Sequence, residues 1–137
     1  MIQWNAYLVN RLSCSDDEKA SLTPFIIGLL DIAQKAKLEG VSSLKNEIKN
    51  STDPFLSYGL EMAAEGVAVE ILEDILAANL LTSDKSGFEF LKACIVAETI
   101  VSISAMESVS LTLRRLAPYC GAEKAFSLLD SAGSRYE

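Results

Sequence analysis

Glu98 is the one carboxyl group whose surroundings suggest acid chemistry. It lies within a run of apolar residues that includes Ile95, Val96, Ile100 and Val101. A carboxyl group buried there without a partner would have a raised pKa, and such a group can act as a general acid or carry a proton. In the alternative interpretation, Glu98 and Ser102 mark the solvated stripe of a helix, since lone glutamates are rarely fully buried.

Other catalytic chemistry lacks the residues that it requires. The sequence contains no His, which excludes the Ser-His-Asp triad, His-containing zinc sites and a His partner for a Cys nucleophile. Glycine motifs that bind phosphate or expose a nucleophilic serine are absent as well. Cys14, Cys94 and Cys120 are widely spaced, so we interpret them as reduced core thiols. We therefore expect no enzymatic activity, no metal site and no cofactor.

Charged residues are separated by sign along the chain. No Lys or Arg lies between Asn50 and Asp84, while four lysines cluster just before that segment. This separation predicts a surface that docks a protein partner, because separated charge steers association. The predicted partner-binding residues are Lys35, Lys37, Lys45 and Lys49 in the basic group, and Glu61, Glu65, Glu70, Glu73 and Asp74 in the acidic group. The alternative is that these charges only cover the solvated faces of helices.

The overall composition limits the class of protein and of partner. The chain has 137 residues, a formal net charge of -7 and 50% hydrophobic residues, which suits one domain with a substantial core. Its acidic balance argues against nucleic acid as a partner, and the Arg114-Arg115 pair alone does not offset it. No apolar run is long enough for a membrane span and no secretory signal is visible, so we expect a cytoplasmic protein.

The apolar periodicity of the sequence predicts that helices carry Glu98 and the charged residues. The predicted helices cover residues 1–12, 24–39, 44–48, 54–66, 67–81, 88–116 and 121–132. Thr23 and Asp53 are the expected N-caps because each precedes a proline at the first helical position, and Ser42 or Ser43 is expected to cap the third helix. Gly40 is the expected end of the second helix. Residues 13–19 read as a polar connector.

Two later helices have predicted inward faces. In the fifth helix Val69, Leu72, Ile75, Leu76 and Leu80 point inward, and in the last helix Ala125, Phe126 and Leu129 do so. The segment 99–104 alternates and is β-branched, which would suit a strand, but its flanks keep a helical spacing. The whole predicts an all-α, single-domain bundle of five to seven short helices over residues 1–137.

Residues 26–81 resemble a known family. Ala33, Ala36, Lys37, Gly40 and Leu44 fit the pattern Ala-x-x-Ala-Arg-x-x-Gly-x-x-x-Leu-Glu, and the later segments are Asp53-Pro54-Phe55-Leu56, Gly59-Leu60 and Glu65-Gly66. This resembles the cytoplasmic region of MotA, the stator subunit of the bacterial flagellar motor. Ala117-Pro118-Tyr119-Cys120-Gly121 is similar to the start of that family's third membrane helix, although no span follows it here.

The resemblance implies a helical cytoplasmic module that meets the rotor protein FliG through charged residues. Lys37 takes the family's basic position, whereas Lys45 stands where the family has an acid, which would repel the family's usual partner at that contact. We expect a non-enzymatic interaction module that docks a flagellar rotor or motor component through its charged helix faces. The alternative is a bundle that homodimerises or binds an apolar ligand through the 88–116 helix, which is apolar over much of its circumference.

Overall fold

Helices make up the regular structure of residues 6–136, the part of the chain that this computed structural model describes. In chain order they are α1 (Ala6–Arg11), α2 (Asp16–Ala20), α3 (Thr23–Glu39), α4 (Leu44–Asn50), α5 (Pro54–Ala64), α6 (Val69–Thr82), α7 (Gly87–Ser104), α8 (Val109–Leu116) and α9 (Ala122–Ala132). No strand occurs in these residues, and seven of the helices have seven or more residues. The predicted all-α, single-domain fold is confirmed.

Helix α7 lies at the centre of the bundle. Its residues are apolar around most of the circumference, so the helix must be covered on all sides to keep them from water. Helices α3, α5, α6 and α8 all pack against it. Phe90, Ile95 and Ile100 on different sides of α7 are at most 1% exposed.

The single helix predicted over residues 88–116 is wrong, because the chain turns between α7 and α8. Met106 takes a left-handed backbone conformation, with φ of 58°. The Glu107 amide donates to the Ser102 main-chain oxygen at 3.1 Å, which ends α7 with a bond pattern typical of helix C-termini. The Ser108 hydroxyl then accepts a hydrogen bond from the Leu111 amide at 3.1 Å and caps α8.

The same kind of turn joins α5 to α6. Gly66 has φ of 78°, and the Val67 amide donates to the Met62 main-chain oxygen at 3.2 Å. The α5–α6 and α7–α8 pairs are thus two helical hairpins with equivalent turns. Glycine signals the first turn in the sequence, whereas methionine gives no such signal at the second.

Most of the predicted helix boundaries are confirmed. Gly40 ends α3 with φ of 87°, and the Asp53 carboxylate accepts the Phe55 amide hydrogen bond at 3.0 Å at the start of α5. The prediction for Thr23 is wrong, since Leu22 holds the N-cap position and Thr23 is the first helical residue. The predicted connector of residues 13–19 contains α2, which starts with a capping box between Ser15 and Glu18.

The cap predicted for the third helix also differs from expectation. Ser43 occupies the N-cap position of α4, but its side chain makes no capping hydrogen bond there. Its hydroxyl instead donates to the main-chain oxygen of Gly40 at 2.7 Å. A 3-10 turn at Val41–Ser43 leads into α4, so the chain is already helical before the predicted cap.

The inward faces follow the apolar periodicity with one exception. Leu72, Leu76 and Leu80 of α6 are buried as predicted, and Val69 and Ile75 are half-buried. In α9 the buried residues are Ala125, Leu128 and Ala132. The inward placement of Phe126 is wrong, because this side chain is 71% exposed. Helix α9 packs against the bundle through Ala125, Leu128 and Ala132, and the Phe126 ring points toward solvent.

Arg11 fastens α1 to the linker between α6 and α7. Its Nε donates to the Lys85 main-chain oxygen at 2.8 Å, and its Nη2 donates to the Ser83 hydroxyl at 2.8 Å and to the Ser83 main-chain oxygen. The guanidinium also lies 4.1 Å from the centroid of the Phe90 ring. Ile2 and Trp4, which belong to the predicted first helix, lie outside the described residues.

Candidate functional site

The predicted acidic residues lie on the outer faces of the α5–α6 hairpin. Glu61 and Glu65 are exposed at the end of α5, and Glu70 and Asp74 are exposed at the start of α6. Burial of the leucine face of α6 turns Glu70 and Asp74 outward, and the Gly66 turn brings the four acids to one end of the hairpin. Glu73 is half-buried.

The four exposed acids of the hairpin, Glu61, Glu65, Glu70 and Asp74, form none of the ion pairs found in the described part of the chain, residues 6–136. No basic residue occupies the last turn of α5 or of α6. Glu61 and Glu65 lie near the negative end of the α5 dipole, where an acidic side chain is unfavourable. The hairpin therefore carries a concentrated negative charge that local helix stability does not require.

The four predicted lysines divide into two groups. Lys35 lies 3.6 Å from Glu47 in an ion pair between α3 and α4. Lys37 donates to the main-chain oxygen of Met106 at 2.9 Å. Lys45 and Lys49 are exposed on α4, four residues apart, and form no ion pair within the described part of the chain. Only the second group is available to a partner without breaking an internal contact.

An apolar stripe on α6 was not predicted. Ile71 and Leu81 are each 55% exposed, and Ala78 between them is exposed as well. None of these three residues was among the predicted inward or partner-binding residues. The sequence of α6 could have indicated these exposed residues, because its apolar residues cover more of the helix circumference than the side occupied by the buried leucines.

Glu98 lies in a groove between α1, α7 and the turn after α8. The groove has a volume of about 410 Å³, and its lining includes Val9, Leu12, Glu98, Arg115, Pro118 and Tyr119. Glu98 is only 9% exposed, which overturns its placement on a solvated stripe. Burial raises the pKa of the Glu98 carboxyl, while the hydrogen bond from Tyr119 and the charge of Arg115 act in the opposite direction.

Two groups near Glu98, Arg115 and Cys94, have a defined state in the structure. Arg115 is engaged by Glu107, with Nε 2.8 Å from Oε2. Burial, and then the charge of Glu98, raises the pKa of the Cys94 thiol to about 12, which keeps the thiol protonated and unreactive. No group of His, Cys, Asp or Glu side chains suited to a metal ion occurs among residues 6–136.

The three cysteines remain free thiols in the structure. Cys94 and Cys120 are buried, as expected of core residues, and Cys14 is half-buried. Burial raises the pKa of the Cys120 thiol above its ordinary value. Within the described range no helix combines the length and apolar character that crossing a membrane requires.

Comparison with protein-family models, with curated proteins and with solved structures finds no significant match.

Proposed function

We propose that this chain is a non-enzymatic protein-interaction module that docks its partner through charged helix faces. The observation that carries the proposal is the α5–α6 hairpin, where Glu61, Glu65, Glu70 and Asp74 are exposed and have no ion-pair partner among residues 6–136. Exposed charges of one sign contribute little to folding, but they steer association and select the sign of the partner.

The two charged faces define what the partner must present. The acidic face on α5 and α6 requires a basic surface, and Lys45 and Lys49 on α4 favour an acidic group beside it. Helices α4 and α5 pack against each other, so the two charged faces belong to neighbouring helices. Lys35 and Lys37 are secondary in this proposal because each already has a contact within the chain.

The resemblance of residues 26–81 to the stator family supports the choice of partner to test first. In that family the cytoplasmic helices meet the rotor through charged residues, so a flagellar rotor or motor component in the bacterial cytoplasm is the first candidate. The reversed charge at Lys45 means that the contact cannot repeat the family's pairing at this position. The acidic hairpin is therefore the more informative face to alter.

The alternative function, a homodimer or an apolar-ligand site on the 88–116 helix, rested on its apolar circumference. Helices α3, α5, α6 and α8 cover α7 within one chain. Nothing in the apolar character of α7 then calls for a second copy or a ligand, and we do not propose either.

The test is capture from a lysate of motile bacteria, followed by identification of the captured proteins. We expect the chain to capture a rotor or motor component, and the double charge reversals Glu61→Lys/Glu65→Lys and Lys45→Glu/Lys49→Glu each to reduce its yield about tenfold. The control is Glu123→Lys/Lys124→Glu, which exchanges exposed charges on α9. Capture of chaperones alone, or equal capture by all variants, would contradict the proposal.

A further inference from the structure

The outward face of α6 has the residue spacing of a helix-pairing seam. Ile71, Asp74, Ala78 and Leu81, hereafter the α6 seam, are separated by three, four and three residues. All four are exposed, and they lie on the side away from the buried leucines of this helix. This is the a–d–a–d spacing by which one α-helix packs along another.

The size and shape of the α6 seam suit a single helix. Ile71 and Leu81 are each 55% exposed and lie about 15 Å apart along the axis, a distance of nearly three helical turns. Ala78 between them is small enough to let a second helix approach closely. Exposed apolar residues along one face of a helix can be covered by the apolar face of an amphipathic helix from another protein.

Charge decides which occupant the α6 seam accepts. Asp74 lies within the seam and Glu70 beside it, and α6 contains no Lys or Arg. A second copy of α6 would bring further acids to the seam without any Lys or Arg of its own, and anionic lipid or nucleic acid would also be repelled. A basic helix supplies the charge that these positions lack.

We propose that the α6 seam binds an amphipathic basic helix of the partner protein. Apolar side chains of that helix cover Ile71 and Leu81, and one Lys or Arg pairs with Asp74. This inference rests on the proposed interaction function and names the part of the partner that docks. The inference concerns apolar contacts as well as charge. An experiment can therefore disprove helix binding at the α6 seam while the charged faces still bind the partner.

The probe is a synthetic helical peptide of about three heptads. It carries Leu at its a and d positions, except for one central d-position Lys, and further Lys at its flanking positions. The matched control peptide has Glu in place of every Lys. Binding is measured by fluorescence anisotropy at low and high salt, and amide chemical shifts locate the peptide on the full chain.

We expect the basic peptide to bind at micromolar concentration and to shift the amides of α6, with weaker binding at high salt. Ile71→Ser/Leu81→Ser and Asp74→Lys should each weaken binding about tenfold. Phe126→Ser and Asp130→Lys, which alter an exposed apolar residue and an exposed acid on α9, should leave it unchanged. A third peptide differs from the basic peptide only in having Glu in place of the central Lys. The Asp74→Lys variant should bind this third peptide more tightly than the basic peptide.

Three results of the peptide experiment would overturn the inference. They are equal binding of the basic and acidic peptides, no saturation below about 1 mM, and binding that is indifferent to the α6-seam variants. A dimer of the free chain that Ile71→Ser/Leu81→Ser dissolves would assign the seam to a second copy and also overturn it. If lysate capture responds to Glu61→Lys/Glu65→Lys but not to Ile71→Ser/Leu81→Ser, the seam fails while the proposed function stands.

Discussion

Lys37, at the end of α3, donates a hydrogen bond from Nζ to the main-chain oxygen of Met106, 2.9 Å away in the turn between α7 and α8. The ammonium group thereby satisfies a carbonyl just beyond the negative end of α7, where a positive charge is favourable. A residue predicted from sequence as part of a docking surface thus links two helices that are distant in the chain. Its replacement would confound folding with binding.

Removal of this link should lower stability measurably. We expect Lys37→Met to reduce the free energy of unfolding by about 1 kcal/mol, because the turn loses a charge-assisted hydrogen bond. Lys45→Met is the matched control on an exposed face and should change it by less than about 0.5 kcal/mol. Urea unfolding followed by circular dichroism measures both values. Equal effects of the two variants would show that the contact is too exposed to contribute.

The two hairpin turns should respond in opposite directions to substitution. Met106 is left-handed with φ of 58°, so Met106→Gly should raise the free energy of unfolding by about 0.5 kcal/mol after the entropy of the unfolded glycine is counted. Gly66 has φ of 78° and open space around an added Cβ, so Gly66→Ala should lower it by about 1 kcal/mol through backbone strain alone. Thermal unfolding of both variants tests the pair. A loss of stability in Met106→Gly would contradict it.

The contact between α5 and α7 depends on a glycine. A Cβ added at Gly59 would overlap Cδ1 of Ile100, which is fully buried. We expect Gly59→Ala to lower the free energy of unfolding by about 1–3 kcal/mol, despite the better helix propensity of alanine. Ile100→Val removes the overlapping methyl group, so the double variant should be more stable than the sum of the single effects predicts. Strict additivity in this double-mutant cycle would refute the close approach.

Glu98 should make stability depend on pH. Its pKa is raised in the folded chain, mainly by burial, so between the unfolded value and the folded value the folded state holds an extra proton. This contribution to stability is complete below the unfolded pKa and is lost as the pH rises through the folded pKa. Glu98→Gln should therefore be more stable than the parent at pH 7 and about equal to it near pH 4.

The matched control for this titration is Glu123→Gln, which alters an exposed glutamate on α9. Its stability should follow the parent at every pH. Urea unfolding at a series of pH values gives the free energy of unfolding of each variant as a function of pH. Subtracting the parent curve cancels the contribution of the other acidic residues. A Glu98→Gln variant that is less stable than the parent at pH 7 would mean that the charged carboxylate is the favoured partner of Tyr119 and Arg115.

Local sequence rules predicted most of the helices and several of their ends. Gly40 and Asp53-Pro54 act on the backbone of their own turns, so no distant residue is needed to explain them. The leucine spacing of α6 likewise determined which side of that helix faces the core. The break at Met106 escaped prediction because methionine has no local preference for a left-handed conformation.

The candidate site was predictable only in part. The sequence located the acids and Lys45 and Lys49, because charge on an amphipathic helix turns toward water wherever the apolar face is buried. It did not reveal that Lys37 is bound to Met106, that Ile71 and Leu81 stay uncovered, or that Glu98 is enclosed. Each of these depends on which helix lies opposite.

The sequence alone predicted an all-helical, acidic chain and the faces of its amphipathic helices. It also excluded reactions that require a histidine side chain. These properties arise from backbone preferences and from apolar periodicity within single helices. The tertiary structure decided which polar groups are enclosed, which lysines are engaged and which apolar side chains remain outside. Those outcomes depend on contacts between helices far apart in the chain, and no single helix contains the information that selects its neighbour.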